Sequence, residues 1–348
     1  MKFAANGLEG FCMSLLRTLG ASEKRAALVS ESMILANLRG IDSHGIRRLP
    51  IYVQRIEKGL IDPEGEITLV HDIEATAVID GGLTFGEVVG RAACDIAIQK
   101  ATRYGTGMVL CRNTNHFGMA AWYGLHLNDH DMIGIIMSNA NASIAPWGGT
   151  LSLFGTNPLC ITIPAKTKPH IVLDMAMSIV ARGKIRAAQE KGEKIPDTWA
   201  VGPDGNPTED PAEAIKGSLL PIGGPKGYCL ALIIDILSGM LSCAHCSTEI
   251  RSMFDLSGPS GMGHYFQAID VGKFLPPDIF KEKIDAYIDH VKNSPKNEGI
   301  EEIYLPGELE YLSTVRKKKE GIDIPDEVIK SLRKIEKTYV HTHVFSSD

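Results

Sequence analysis

The chain has 348 residues, 44% apolar and 22% charged, enough for a sizeable core divided between two lobes. Its 36 Lys and Arg against 42 Asp and Glu leave a formal charge of −6, and a net negative surface repels a nucleic-acid backbone. No apolar run reaches the ~18 residues of a membrane span, because the longest, Tyr228 to Met240, is broken by Asp235 and Gly239.

Residues 3 to 58 carry apolar positions at helical spacing, with Ser22 as a candidate N-cap and Gly20 and Gly40 as stops. A further helix, capped by Ser43, runs through Ile51, Val53 and Ile56 to Gly59. From residue 66 short β-type segments alternate with helices: Ile67–Val70, Ala75–Ile79, Gly107–Cys111, Met132–Met137, Leu159–Pro164 and Ile171–Leu173. Between them Thr84 to Tyr104 reads as a helix, with Thr84 and Glu87 in capping-box spacing. The polar stretch Lys191 to Pro211 predicts an exposed excursion, Lys226 to Leu241 a buried helix, and His264–Ile269 a late strand. From Pro276 onward charged amphipathic helices return, and Arg316-Lys317-Lys318-Lys319 reads as a solvated face of one of them. The expected fold class is α/β in a mixed α+β arrangement, with helices from both chain ends forming one discontinuous lobe.

The N-terminus places Glu9 inside its apolar segment and lacks a signal-peptide layout, and the seven cysteines are scattered among apolar neighbours. The expectation is a cytosolic protein with reduced, buried thiols and no membrane partner. Cys243-Ala-His245-Cys246 has half the spacing of a zinc site, with His341 and His343 as conceivable partners, but no second Cys pair exists and no metal site is expected.

The glycine fingerprint G-x-G-x-x-G of ordinary dinucleotide folds is absent, and so is a phosphate loop of the G-x-x-x-x-G-K type. The densest polar cluster is Asp42-Ser43-His44-Gly45-Ile46-Arg47-Arg48. With Ser43 as cap, His44 and Arg48 fall on one helical face, pairing a proton donor with a carboxylate clamp, as reduction of a 2-oxo acid requires. Asn113 to Gly118 supplies a second imidazole, His116, at the end of a strand, where α/β proteins place ligands. Asp174 ends an apolar strand, free to orient an imidazole, bond a cofactor amide or cap the next helix. Gly223-Gly-Pro-Lys226-Gly227 opens a helix with N–H groups and a cation that favour an anion such as pyrophosphate.

In order, Asp42-Ser-His-Gly45, Asn115-His-Phe-Gly118, Pro146-Trp-Gly-Gly149, Gly155-Thr-Asn-Pro158, Leu173-Asp-Met-Ala176 with Arg182-Gly-Lys184, Ile195-Pro-Asp197, Gly224-Pro-Lys-Gly227 and Leu305-Pro-Gly-Glu308 resemble the malate/L-lactate dehydrogenase family that lies outside the Rossmann enzymes. That family also contains oxidoreductases of sulfolactate, ureidoglycolate, diketogulonate and cyclic imino acids. The resemblance implies a homodimer whose NAD(P)-binding lobe, residues 71–296, holds a largely antiparallel sheet. A helical substrate and dimerisation lobe comes from residues 1–70 with 297–348. It further implies that His44, His116, Ser43 and Arg48 form the catalytic site, with His44 the first choice of acid–base group and His116 the second. Asp174, Met175, Ala176, Lys226, Gly227, Leu305, Pro306, Gly307 and Glu308 are expected at the cofactor, NAD or NADP. The sequence departs from the family at Asp270-Val-Gly, where an Asn-Pro turn is usual, and at Cys229, where a glycine is common. The implied function is hydride transfer between nicotinamide and a small 2-hydroxy or 2-oxo acid of the malate or lactate type. The other substrates of the family are alternatives within this chemistry. A metal-assisted lyase or hydrolase and a non-catalytic nucleotide-binding subunit are the alternatives outside it.

Overall fold

A computed structural model describes residues 1–340, 344 and 345. In chain order, β1 (Lys2–Phe3), α1 (Ala5–Thr18) and α2 (Glu23–Leu38) lead into two 3-10 turns, Asp42–His44 and Ile46–Arg48, and then α3 (Leu49–Glu57). β2 (Thr68–Ile73), β3 (Thr76–Asp80), α4 (Gly86–Tyr104), β4 (Thr106–Thr114), α5 (Ala120–Asn128) and β5 (Met132–Ser138) follow. Next come β6 (Leu159–Ile163), β7 (Ile171–Met175), α6 (Arg182–Lys191), β8 (Ala200–Val201), α7 (Pro211–Lys216) and β9 (Ser218–Leu219). α8 (Pro225–Asp235) continues as a π-helical turn, Ile236–Met240, before β10 (Met262–Asp270), α9 (Pro277–Lys292), α10 (Glu308–Glu320), β11 (Ile322–Asp323) and α11 (Asp326–Tyr339).

Seven strands form one sheet in the order β2-β3-β4-β10-β5-β6-β7. Only β3 and β4 run parallel, joined by the crossover helix α4, and every other neighbouring pair is antiparallel. The sheet is therefore mixed and largely antiparallel, flanked by helices, as expected. Its centre is β10, which arrives late in the chain and inserts between β4 and β5.

Alternation along the central strands fills both sides of the sheet. Val109, Cys111, Ile136, Phe266 and Ala268 face a cluster shared with α4 and α5, whereas Leu110, Met137 and Tyr265 face one shared with α6 and α8. Each large apolar side chain so buried contributes about 1.5–3 kcal/mol. A third cluster joins α1, α2 and α3 to α11. On α1 the buried Leu8, Phe11, Cys12, Leu15 and Leu16 repeat at helical spacing and form its inner stripe.

Four local expectations are corrected. The segment 226–241 is not buried all round, because Ile233 is 49% exposed and Met240 62%. The excursion from Lys191 to Pro211 contains β8, which pairs with β9 over a buried Ala200. Ser43 caps no helix: two 3-10 turns separated by the extended Gly45 replace the expected α-turn, and α3 begins only at Leu49. The expectation of buried thiols holds for Cys12, Cys94, Cys111 and Cys160 and fails for Cys229 and Cys243, which are exposed.

Candidate active site

The turn Asp42–Arg48 is held from below by α2. Asn37 donates to Asp42 Oδ1 at 2.6 Å and accepts from the Ile46 N–H at 2.8 Å, while Gly45 packs so closely on Asn37 that a Cβ would lie 2.3 Å from its oxygen. Arg48 Nε donates to Ser43 O at 2.6 Å, which folds the guanidinium back over the turn. Ser43 Oγ lies 2.9 Å from His44 Nδ1, so His44 and Arg48 meet through the turn and not through a shared helical face.

His116 comes from the other side, in the loop between β4 and α5. The preceding Asn115 is locked by its Nδ2 to Leu83 O at 2.8 Å and by Arg55 to its Oδ1 at 3.1 Å. Below the loop, buried His264 of β10 bonds Thr114 Oγ1 at 2.6 Å and Ser138 Oγ at 2.8 Å, and its ring stacks on Phe117 at 4.4 Å. Gly118 then turns the chain with φ +73°, and a Cβ there would meet Ser32 Oγ at 2.8 Å. The outcome is that the His44 and His116 rings stack, centroids 5.3 Å apart and planes 18° from parallel. Both rings are half-buried. Burial, reinforced by the Arg48 charge, lowers His44 to about 4, and burial with His44, Arg48 and His264 nearby holds His116 well below the usual histidine range.

Two residues of this site carried no functional signal in the sequence. Tyr52 of α3 places its hydroxyl 2.8 Å from His116 Nδ1 and 2.7 Å from Glu87 Oε1. Glu87 is no capping-box residue: the N-cap of α4 is Phe85, without a side-chain cap bond, and the Glu87 carboxyl turns inward. The only trace in the sequence is the helical spacing of Arg48, Tyr52 and Arg55 along the stretch that became α3.

At the mouth of the site, the guanidinium carbons of Arg48 and Arg186 lie 5.3 Å and 5.9 Å from the centre of the Phe254 ring. Arg55 donates to Met253 O and Asp255 O, which fixes the loop bearing that ring.

Asp174 ends β7, the last strand of the sheet. Its Oδ2 accepts from the Ala121 N–H at 2.8 Å, so it caps α5, the helix after His116, and not the helix that follows it in sequence. The carboxyl sits in a crevice open to solvent, where surrounding protein pushes it up to about 6 against the pull of Ala121 and Arg39. Met175 and Ala176 continue the chain from Asp174, Ile222 N–H donates to Met177 O at 2.8 Å, and Gly227 packs on the Ile222 carbonyl, which ties the start of α8 to the segment leaving β7. Leu305-Pro306-Gly307-Glu308 also reaches β7, with Val172 N–H bonded to Pro306 O at 2.9 Å. Leu305, Pro306 and Glu308 line a cavity of about 210 Å³ with Lys168, His170 and Lys292. Glu308 is held there by an ion pair with Lys292 and by the Leu305 N–H.

These groups fit a nicotinamide dinucleotide. The first-turn N–H groups of α8 have no intrahelical partner, exposed Lys226 adds charge for a diphosphate, and the outer edge of β7 and the Asp174 carboxyl supply acceptors and donors for amide or hydroxyl groups. Among the described residues no group of three or more His, Cys, Asp or Glu is arranged to hold a metal; His341 and His343 lie outside them.

Solved structures share this architecture. Malate dehydrogenase from Entamoeba histolytica superposes with a TM-score of 0.93 at 34% identity, covering 97% of this chain and 98% of that one. In sequence the chain is 41% identical over 323 residues to L-sulfolactate dehydrogenase of Methanocaldococcus jannaschii, 93% of each chain. It is 39% identical over 336 residues to malate dehydrogenase of Pyrococcus abyssi, 94% of this chain and 92% of that one. The fold is that of dehydrogenases, and the chain has no G-x-G-x-x-G fingerprint. The family described as malate/L-lactate dehydrogenase matches residues 3–333, and the chain belongs to that family.

Proposed function

We propose that the chain interconverts a small dianionic 2-hydroxy acid and its 2-oxo acid with NAD or NADP, malate being the type substrate. The observation that carries this reading is the stacked His44–His116 pair with Arg48 on one flank of Phe254 and Arg186 near the same ring. Arg48 would clamp the carboxylate next to the reacting carbon, and Arg186 would take the second anionic group, carboxylate or sulfonate. The cofactor, when bound, supplies or accepts the hydride. His116 carries the proton, in preference to the sequence-based first choice His44, because the Nδ1 of His116 is coupled to Tyr52 and Glu87 whereas that of His44 meets only Ser43. His44 then orients the substrate oxygen, held by Ser43. Asp174, Met175, Ala176, Lys226, Gly227 and the 305–308 turn would bind the cofactor.

We assign residues 1–70 with 297–348 to a substrate and dimer lobe and 71–296 to a cofactor lobe, in keeping with the separate cluster of α1–α3 and α11. A second copy of the chain is the partner that would cover the exposed Leu230, Ile233, Ile236 and Met240 of α8 and its π turn. Among the described residues no helix is long and apolar enough to cross a membrane, and seven free thiols, four of them buried, suit a reducing cytosol.

The test is oxidation of NADH and NADPH with oxaloacetate, sulfopyruvate, pyruvate, glyoxylate derivatives, diketogulonate and a cyclic imino acid. A kcat/KM for a dianionic 2-oxo acid at least about tenfold above pyruvate is expected, the value of one ion pair of about 1.4 kcal/mol. Equal rates with pyruvate would remove Arg186 from the reading, and silence across the panel would remove the reading itself.

A further inference from the structure

Glu87 is a carboxyl 1% exposed, with Oε1 bonded to Tyr52 and no partner for Oε2 among the described residues. Tyr52, also 1% exposed, stands between Glu87 and the imidazole nitrogen that faces away from the cleft. Among the described residues no cation pairs with Glu87: it is faced by Tyr52 from α3, Tyr123 from α5 and the unbonded Ser32 hydroxyl from α2, while His116, Arg48 and Arg55 are linked to it through Tyr52. A lone buried carboxyl with an unpartnered oxygen is costly to keep ionised. Burial accordingly pushes Glu87 up to about 7, against the pull of the Tyr52 hydrogen bond.

The phenol has one proton and two neighbours, so it cannot donate to both. With Glu87 protonated, Glu87 donates to Tyr52 and Tyr52 donates to His116 Nδ1. Nδ1 is then an acceptor, in agreement with the Gly118 N–H aimed at it from 3.3 Å, and the proton of the neutral ring is on Nε2. With Glu87 ionised, Tyr52 donates to Glu87 and accepts from Nδ1–H, which leaves Nε2 with a free lone pair. No described protein group bonds Nε2, which belongs to a half-buried ring beside His44.

We propose that Glu87, acting through Tyr52, determines which nitrogen of His116 carries the proton, so that the three groups form a relay ending in a buried carboxyl. The proposal rests on the reading that His116 is the acid–base group. In reduction, His116 Nε2–H gives its proton to the carbonyl oxygen, Nδ1 takes the Tyr52 proton, and Tyr52 takes the Glu87 proton. One O–H bond forms on the substrate and one breaks at Glu87; the electron pair arrives with the hydride of the reduced cofactor. Oxidation runs the same chain backwards. His116 stays neutral throughout, which resolves a difficulty of the site: burial beside His44, Arg48 and His264 makes an imidazolium there unfavourable. Glu87 and Tyr52 are positioning residues, since neither touches substrate.

The test uses Glu87→Gln, which is close to isosteric, and Tyr52→Phe. Both are expected to lower kcat by about 10- to 100-fold with cofactor affinity unchanged, and the double variant to be no slower than the slower single one. Glu87→Gln should also remove the near-neutral ionisation from the kcat pH profile, an effect that a packing role does not produce. Independently of turnover, 15N spectra of His116 in the unmodified protein should show the proton moving between ring nitrogens near pH 7 without an imidazolium signal. A Glu87→Gln profile superimposable on the parent, or one fixed tautomer across neutral pH, would overturn the relay. Absence of turnover in the parent would count against the dehydrogenase reading alone, and the spectra would still decide the relay.

Discussion

His44 and His116 stack with ring centroids 5.3 Å apart, one ring carried by a 3-10 turn after α2 and the other by the loop that leaves β4. Two imidazolium charges at that separation, close to Arg48, repel each other, so both rings are held neutral, and in the proposed function they take different tasks. His116→Asn is expected to lower kcat by about 10²- to 10⁴-fold, the range of a lost general acid–base group, whereas His44→Ala should weigh more on KM. Steady-state kinetics of both variants checks this; the opposite split would return the proton-carrying role to His44.

Arg48 offers a planar fork, held by Ser43 O through Nε, and no described residue hydrogen-bonds its terminal nitrogens, which the proposed function assigns to the substrate carboxylate. Arg48→Lys keeps the charge and loses the fork. KM for the 2-oxo acid should rise by about tenfold or more, with a smaller fall in kcat. Unchanged kinetics would take Arg48 out of the substrate site.

Asp174 joins the edge strand to the N-terminus of α5. Asp174→Asn keeps an acceptor for the Ala121 N–H and should unfold close to the parent, while Asp174→Ala should cost about 1 kcal/mol, the usual value of an N-cap. Urea unfolding of the two variants measures the difference, and titration of NADH fluorescence reads the accompanying loss of cofactor affinity.

Glu87 also links stability to pH. Its folded value, about 7, lies above the ordinary 4.5, so the stability it contributes is complete below about pH 4.5 and is lost as pH rises through about 7. The parent should therefore lose up to about 3 kcal/mol more than Glu87→Gln between about pH 5 and pH 8. Denaturant midpoints at several pH values test the sign; a parent that gains stability relative to the variant over that interval would contradict it.

The apolar face of α8 and its π turn predicts association. Ile233 is 49% exposed and Met240 62%, on successive turns with Leu230 and Ile236. Light scattering should give twice the chain mass for the parent, and Ile233→Asp should shift it to the monomer. A monomeric parent would refute the interface.

Seven sheet strands were each legible in the sequence to within a few residues, because alternation of apolar residues between turn signals is a local property. Their order was not. β10 enters between β4 and β5 from across about half the chain, a long-range pairing that local pattern does not encode. The same distinction separates the site residues. Ser43, His44, Arg48 and His116 stood out as dense polar motifs, whereas Tyr52 and Glu87 looked like an ordinary helical aromatic and an ordinary first-turn acid. Glu87 was misread as a cap since the spacing Thr84-x-x-Glu87 is what a capping box shows, and only the packing of α3 on the 116–118 loop reveals that its carboxyl points inward.

By itself the sequence determined the class of fold, the two histidine motifs and the absence of a glycine fingerprint, all set by residue types within a few positions of each other. The tertiary structure alone decided that the two imidazoles stack, that Asp174 caps α5 and that a buried carboxyl lies behind His116. Those relations join residues up to 72 positions apart, between His44 and His116, and are fixed by burial and hydrogen-bond satisfaction across the core, which no local stretch of chain specifies.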